Sequence, residues 1–417
     1  MRLLHTSDWH LGKRLFDYDR FDVFEKFLDW LLHCISLNRI DTLVVAGDIF
    51  DTAVPTFRSQ TLYYNFLSKV KSAGCRHVVV VAGNHDSPSG LDASKALLEQ
   101  QGIYVIGQAG RPEDDVIELK DERGNLEAIV CAVPFLRERD IDPIPQDSDL
   151  DRDAQIQKTL DRFYKEVVTI AANKMGARRV PLIATGHLFT ANAKTGVDES
   201  GLYIGSSGCV PASIFPKEID YLALGHLHSP QMVGGDITRN YSGAPIVFNF
   251  DEVGKDRLVR IVDFSEGEPY VENHVVPTFD DMRRFVGNIF EIERQLIELG
   301  KELEEKVRRG EKIEDVLVEV VHEGVSDPLG LVERVRQATP KQHVNVLRIQ
   351  DRREEKADLS VLADEAFIAQ LDWRNVFEKR LEVMEEEFSD GVTKEQLWSA
   401  YQQAYYNVSP LADTQAY

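Results

Sequence analysis

Thr42-Leu43-Val44-Val45-Ala46-Gly47-Asp48-Ile49-Phe50-Asp51 runs from five mostly apolar, β-branched residues into a glycine and two acids. A continuous apolar run of that length suits a strand buried on both faces. The glycine permits a tight turn directly after it. The same grammar recurs along the chain. Val78-Val79-Val80-Val81-Ala82 leads into Gly83-Asn84-His85-Asp86, and Leu182-Ile183-Ala184 into Gly186-His187. Tyr221-Leu222-Ala223-Leu224 leads into Gly225-His226-Leu227-His228, and the N-terminal segment into Asp8-Trp9-His10. Ala128-Ile129-Val130-Cys131-Ala132 is a further run of this kind. Between the first runs, Phe24, Phe27, Leu28, Leu31 and Ile35 recur at helical spacing over Phe21 to Asn38. Strands alternating with helices predict an α/β layered fold, with strands covered on both faces by helices. Ligands in such folds collect at the carboxyl ends of strands, where these motifs sit.

The chain has 417 residues, long enough for two or three domains. An apolar fraction of 43% is ordinary for a globular protein. With no apolar run of 18 residues the sequence predicts no membrane span, and Met1-Arg2-Leu3-Leu4-His5 runs into a motif too soon for a signal peptide. Cys34, Cys75, Cys131 and Cys209 show no CxxC spacing, so reduced thiols of a cytoplasmic protein are expected, with Cys75 and Cys131 in the core. The net charge of −22 argues against a free-standing duplex binder, which would carry a basic face. Bound cations or a basic partner would change that balance.

The pattern changes near Pro277. An amphipathic helix is predicted from Phe285 to Arg309, then a strand (Val316 to Val321), a helix (Leu329 to Gln337) and a strand (Val344 to Ile349). A charged linker, Asp351 to Asp358, precedes a helical tail, in which Thr393-Lys394-Glu395-Gln396 has capping-box form. The expected organisation is residues 1–277 as the motif-bearing domain, 278–350 as a small α/β accessory domain, and 351–417 as linker and helices.

The motifs supply carboxylates, an amide and several imidazoles, a donor set suited to divalent metals such as Mn, Fe or Zn. The two oxygens of Asp48 can bridge two cations about 3.5–4 Å apart. Asp8 and His10 stand two residues apart, and so do His226 and His228, so each pair can share one side of an extended segment. Asn84 and His187 complete the donors. A two-metal centre of this kind polarises a phosphoryl oxygen and activates water near neutral pH. His85, next to Asn84, is the candidate acid for the leaving oxygen, and Asp51 the candidate residue to orient its ring. Asp86 is expected to cap the turn, and His5, His33, His77, His274, His322 and His343 are expected to be ordinary core or surface residues.

In order and spacing these motifs resemble the calcineurin-like metallophosphoesterase superfamily. Within it, His5-Thr6-Ser7-Asp8-Trp9-His10-Leu11-Gly12, Ala46-Gly47-Asp48-Ile49-Phe50-Asp51-Thr52, Ala82-Gly83-Asn84-His85-Asp86-Ser87, Ala184-Thr185-Gly186-His187-Leu188 and Ala223-Leu224-Gly225-His226-Leu227-His228 look like the SbcD branch of bacterial nucleases. Tyr241-Ser242-Gly243-Ala244-Pro245 and Phe250-Asp251-Glu252 extend the likeness, which covers about 250 residues strongly. The resemblance implies a layered metallophosphoesterase sandwich with a capping domain and a C-terminal helical segment. It implies one metal held by Asp8, His10, Asp48 and His228 and another by Asp48, Asn84, His187 and His226, with His85 catalytic and manganese as the usual ion. It further implies exonuclease and endonuclease action on DNA, an SbcC-type coiled-coil ATPase partner gripped by the C-terminal helices, and a homodimer within a heterotetramer. The tail stripes Trp373, Val376, Phe377, Leu381 and Trp398, Tyr401, Tyr405 would then face that partner. Archaeal and eukaryotic relatives carry histidine where this chain has Asp51, whereas many phosphatases carry aspartate there. The rival readings are a phosphatase or small-molecule phosphodiesterase on the same fold, and an inactive scaffold. Thr52-Ala53 in place of the Arg-Gly of Ser/Thr phosphatases, and an intact donor set, weigh against them.

Overall fold

The computed structural model describes residues 1–137, 140, 152–190, 209–324 and 328–352. The chain divides into two units, 1–352 and 353–417. The predicted helical tail and its aromatic stripes lie outside the described residues.

Two six-stranded sheets form the body. The first has the order β14 (Tyr270–Val276), β13 (Arg257–Asp263), β1 (Arg2–Thr6), β2 (Thr42–Ala46), β3 (His77–Val81) and β4 (Ile103–Ile106). The second runs β11 (Gln231–Val233), β12 (Asp236–Tyr241), β10 (Tyr221–Gly225), β7 (Leu182–His187), β6 (Leu126–Cys131) and β5 (Val116–Lys120). β1 to β4 are parallel, as are β6, β7, β10 and β12, and antiparallel pairings complete the sheets. β8 (Phe189–Thr190) and β9 (Cys209–Val210) make a small separate pair.

The apolar strands are buried on both faces, but by different things. Leu3, Val44, Val79 and Val81 of the first sheet share a core with Ala128, Val130, Ile183 and Ala223 of the second. The outer face of the first sheet, through Leu43, Val45 and Val78, packs on α1 (Phe21–Leu37) and α2 (Phe57–Val70). Two one-turn helices, α3 (Pro88–Asp92) and α4 (Lys95–Glu99), lead into β4. Ile129, Leu182 and Leu222 of the second sheet pack on α5 (Arg152–Met175), which brings Tyr164, Val167 and Ala171. The layers are therefore helix, sheet, sheet, helix, the layered α/β sandwich expected, except that each sheet is covered by helices on one face and by the other sheet on the second rather than by helices on both. Period alone does not separate these cases, because a strand facing a second sheet needs the same apolar residues as one facing a helix. Each fully buried Val or Leu contributes about 1.5–3 kcal/mol.

Past Pro277 the chain builds a three-stranded parallel sheet, β15 (Asp281–Gly287), β16 (Val316–Glu323) and β17 (Val344–Arg352). α6 (Ile289–Arg308) and α7 (Pro328–Ala338) connect the strands, and Ile292, Leu296, Leu299, Val318, Leu331 and Val335 form a core of their own. The helix begins at Ile289 rather than Phe285, because Phe285 to Gly287 belong to β15. Asn288 then starts α6 by accepting from the amides of Phe290 and Glu291, while the Glu291 side chain accepts from the Asn288 amide. Leu15 and Phe250 of the body meet Met282 and Leu317 of this sheet, and Arg20–Asp280 at 2.7 Å and Lys26–Glu314 at 2.8 Å pin the same junction.

Cys34, Cys75 and Cys131 are buried free thiols, pushed up to about 11, 12 and 12 by burial. Among the described residues no helix is long and apolar enough to cross a membrane.

Candidate metal centre

Five parallel strands deliver the motif side chains to one edge of the sandwich. Asp8 and His10 follow β1, Asp48 follows β2, and Asn84 and His85 follow β3. His187 ends β7 in the facing sheet, and His226 and His228 follow β10. Ligand atoms of Asp8, His10 and His228 lie within 4.8 Å of one another, and so do those of Asp48, His187 and His226. His10 links the groups, its Nε2 3.2 Å from His228 Nε2 and 3.5 Å from Asp48 Oδ2. Asn84 Oδ1 lies 3.1 Å from His187 Nε2 and 3.0 Å from His226 Nδ1.

The backbone reaches this arrangement under strain. Asp8, His10, Asp48 and His226 adopt φ values of 54°, 46°, 51° and 100°. Each left-handed non-glycine residue costs on the order of 1–3 kcal/mol and persists where the surroundings fix it. The segment after β1 is thus not extended as expected. Two left-handed residues flank Trp9, whose ring enters the core against Phe27 and Phe66 while Asp8 and His10 reach the site. Main-chain bonds hold the loops together, from the Asp8 amide to the Gly47 carbonyl at 2.9 Å and from the His10 amide to the Asp48 carbonyl at 3.0 Å. Glycine is required where the loops approach closely, as at Gly47 and Gly83. A Cβ on Gly47 (φ 93°) would strike the His187 ring, and one on Gly83 would strike the Asp48 carboxylate.

Asp86 caps the turn, as expected. It accepts from the amides of Gly83, Phe50 and Ile49 at 2.8, 3.0 and 3.1 Å, and burial together with the Asp48 charge pushes it up to about 6. His85 differs from expectation in its partner. Its Nδ1 donates to the Asp51 main-chain carbonyl at 2.8 Å, while the Asp51 carboxylate lies 3.4 Å from Lys13 Nζ and 3.6 Å from His10 Nδ1. The residue is right for the contact but the atom is the carbonyl oxygen. A carbonyl only accepts, so the proton sits on Nδ1 and Nε2 is the nitrogen that can gain or lose one.

Electrostatics set the donors apart. Burial pushes His226 and His228 down to about 3 and His10 well below the imidazole range, leaving neutral rings with lone pairs. Burial pushes Asp8 up to about 8, with the Asp48 charge adding to it. Burial also disfavours the Asp48 charge, but His187 and His10 outweigh it and hold the carboxyl well below its usual range. His187 is held up at about 9, burial being outweighed by Asp48. Its Nδ1 donates to the Ala46 carbonyl at 2.8 Å, which turns Nε2 toward Asp48 Oδ2 at 3.3 Å and Asn84 Oδ1. Carboxylates, an amide oxygen and imidazole nitrogens thus converge, with protons on Asp8 and on His187 Nε2 that a bound cation would displace. A divalent cation satisfies such a set, and the carbonyl behind His187 fixes the tautomer that would bind it. The residues present fit two divalent ions.

Several contributors are not legible in the motifs. Ser7 Oγ donates to Asp8 Oδ2 at 2.5 Å and meets Ser242 Oγ at 2.8 Å. Tyr164 donates to the Thr185 carbonyl at 2.9 Å beside His187, and Arg137 donates to the Asp86 carbonyl at 2.5 Å. Ser242 lies in the Tyr241–Pro245 stretch, the one signal that points to it. Among the other histidines, His5 is fully buried between Tyr221 Oη at 3.0 Å and the Leu224 carbonyl at 3.2 Å, and His322 pairs with Asp351 at 2.9 Å, so both are structural.

A family model described as calcineurin-like phosphoesterase matches residues 1–230, and one described as type 5 capsule protein repressor C-terminal domain matches residues 278–385. The Escherichia coli protein named as the SbcD component of the nuclease SbcCD is 33% identical over 389 residues, covering 92% of this chain and 94% of the relative. Proteins of the same name from Rhodobacter capsulatus and Bacillus subtilis are each 34% identical, over 278 and 272 residues, covering 64% of this chain and 67% of each relative.

Proposed function

The chain belongs to the calcineurin-like phosphoesterase family, within the group of SbcD nucleases, and we propose on that premise that it hydrolyses DNA phosphodiesters at a centre of two divalent ions. The observation that carries this reading is the convergence of seven donor side chains at the carboxyl ends of five strands. Asp8, His10, Asp48 and His228 would hold one ion and Asp48, Asn84, His187 and His226 the other, with manganese as the ion in use. When bound, the ions supply Lewis-acid activation of the phosphoryl group and of water.

The chain's own groups supply the rest. His85 Nε2 delivers a proton to the leaving oxygen, its ring held by the Asp51 carbonyl and set edge-on to His10 at 4.8 Å between centroids. The net charge of −22 leaves weak electrostatic attraction for duplex DNA. That supports dependence on an SbcC-type coiled-coil ATPase for substrate engagement, in a cytoplasmic assembly containing two copies of this chain.

The test is cleavage of an end-labelled duplex in Mn by wild type and His85→Ala, with and without the ATPase. Cleavage that falls about 10²–10⁴-fold in His85→Ala at unchanged metal content supports the reading. Intact DNA alongside hydrolysis of a small phosphodiester would transfer the activity to a small-molecule phosphodiesterase. Lost metal content in His85→Ala would move His85 into the ligand set.

A further inference from the structure

The two donor groups are not supported alike. His187 and His226 lean on each other with ring centroids 5.0 Å apart, and His187 leans on Phe135 at 6.3 Å. His10 and His228 lean on each other at the same 5.0 Å, and both in addition meet one buried ring, Phe248, at 5.3 Å and 89° from His10 and 5.5 Å and 69° from His228. Phe248 belongs to neither strand that carries those histidines. It sits in the loop between β12 and β13, where a chain of polar contacts fixes it. Its amide donates to Glu252 Oε2 at 2.8 Å, and the same oxygen lies 2.7 Å from Arg257 Nη2. Arg257 Nη1 then donates to the main-chain carbonyl of His228 at 2.9 Å. Arg257 opens β13, which pairs with β1, the strand that leads to Asp8 and His10. The ring of contacts therefore closes across both sheets, from His10 through Phe248, Glu252 and Arg257 to His228.

We propose that Phe248, held by the Glu252–Arg257 clasp, is a positioning residue for the Asp8, His10 and His228 group and sets the affinity of that metal position alone. The inference rests on the two-ion reading above. Each polar link is short, and the Arg257 and Glu252 side chains are only 6% and 14% exposed, so the charge pair is little screened. Bonds behind a metal ligand fix its ring orientation, and their loss weakens metal affinity about 10–100-fold. Among the described residues, His187 takes its ring contacts from Phe135 and His226 rather than from Phe248, so the second position has supports of its own.

Titration of the full-length chain with Mn(II), following free ion by electron paramagnetic resonance, separates the two positions. Wild type binds two ions. In Phe248→Ala and in Glu252→Ala one of the two weakens about 10–100-fold while the other is unchanged. Glu252→Gln, which keeps an acceptor for both the Phe248 amide and Arg257, recovers most of the loss, which a general loosening of the fold would not. Thermal melting of the metal-free variants reports folding separately, and Phe248→Leu, which keeps an apolar side chain but removes the flat ring and should weaken the same one position, carries the test if an Ala variant melts early. Equal weakening of both positions, or no weakening in a folded variant, overturns the positioning role and leaves the two-ion reading standing. A wild type that binds one ion overturns both.

Discussion

The body and the three-stranded sheet behind it share one alternation of strand and helix, yet among the described residues the clusters of metal-type donors gather at the strand ends of the body. At the ends of β1, β2 and β10, non-glycine residues are forced into left-handed backbone, and imidazole nitrogens and an amide oxygen are brought within 3.2 Å of one another. In the smaller sheet the balance is internal. The buried carboxylate of Glu319 is met by Arg284 at 2.9 Å and Arg348 at 3.3 Å, and the start of α6 is closed by a reciprocal Asn288–Glu291 cap. A buried carboxylate met by two guanidinium groups closes on itself, whereas carboxylates, an amide oxygen and four imidazoles crowded at one point form a donor set that a divalent cation can use.

That contrast is broken most severely at Asp48, which both proposed donor sets share. Asp48→Ala is expected to reduce DNA cleavage to background and to remove both high-affinity Mn sites. An apo melting temperature that holds or rises would show that the carboxylate serves the site and costs the fold, as read by calorimetry with and without Mn. The opposite pattern belongs to the smaller sheet. Leu296 on α6 is fully buried, and Leu296→Ala should cost about 2–5 kcal/mol of stability in that region with the Mn titration unchanged. A loss of metal affinity there would mean that the two regions are not separable.

Acid sharpens the comparison further. His5 is pushed down to about 3 by burial, with Arg260 adding to it, whereas in the unfolded chain it titrates near 6.5. The unfolded chain therefore binds this proton more readily. The stabilisation is complete above pH 6.5 and is lost as the pH falls toward 3, amounting to about 2 kcal/mol by pH 5. Denaturant melts at pH 7 and 5 should show a fall smaller by that amount in His5→Gln than in wild type. The smallest effect is at the cap of α6, where Asn288→Ala should cost about 1 kcal/mol and leave cleavage untouched.

Much of this is readable without any coordinates. The parallel strands announce themselves because both faces are buried, and the donors stand directly after them. β14, Tyr-Val-Glu-Asn-His-Val-Val at a sheet edge, and β12, Asp-Ile-Thr-Arg-Asn-Tyr beside one, escape such a reading because they stay half exposed and polar. The start of α6 is ambiguous in sequence because Phe285 and Val286 suit the apolar face of a helix as well as a strand. Asp51 is identifiable as the partner of His85, but spacing does not tell a carbonyl from a carboxylate. The Phe248–Glu252–Arg257 clasp spans a loop, a turn and a strand, and nothing in its local pattern reports the closure onto His228.

Counting bound Mn per chain in wild type, His187→Ala and Asp48→Ala tests most directly whether one edge of the sandwich holds two divalent ions through a shared Asp48. Equilibrium dialysis with elemental analysis gives that count. Two, one and none are expected at micromolar free metal. A single ion in wild type, or two retained in Asp48→Ala, would contradict the shared-carboxylate centre.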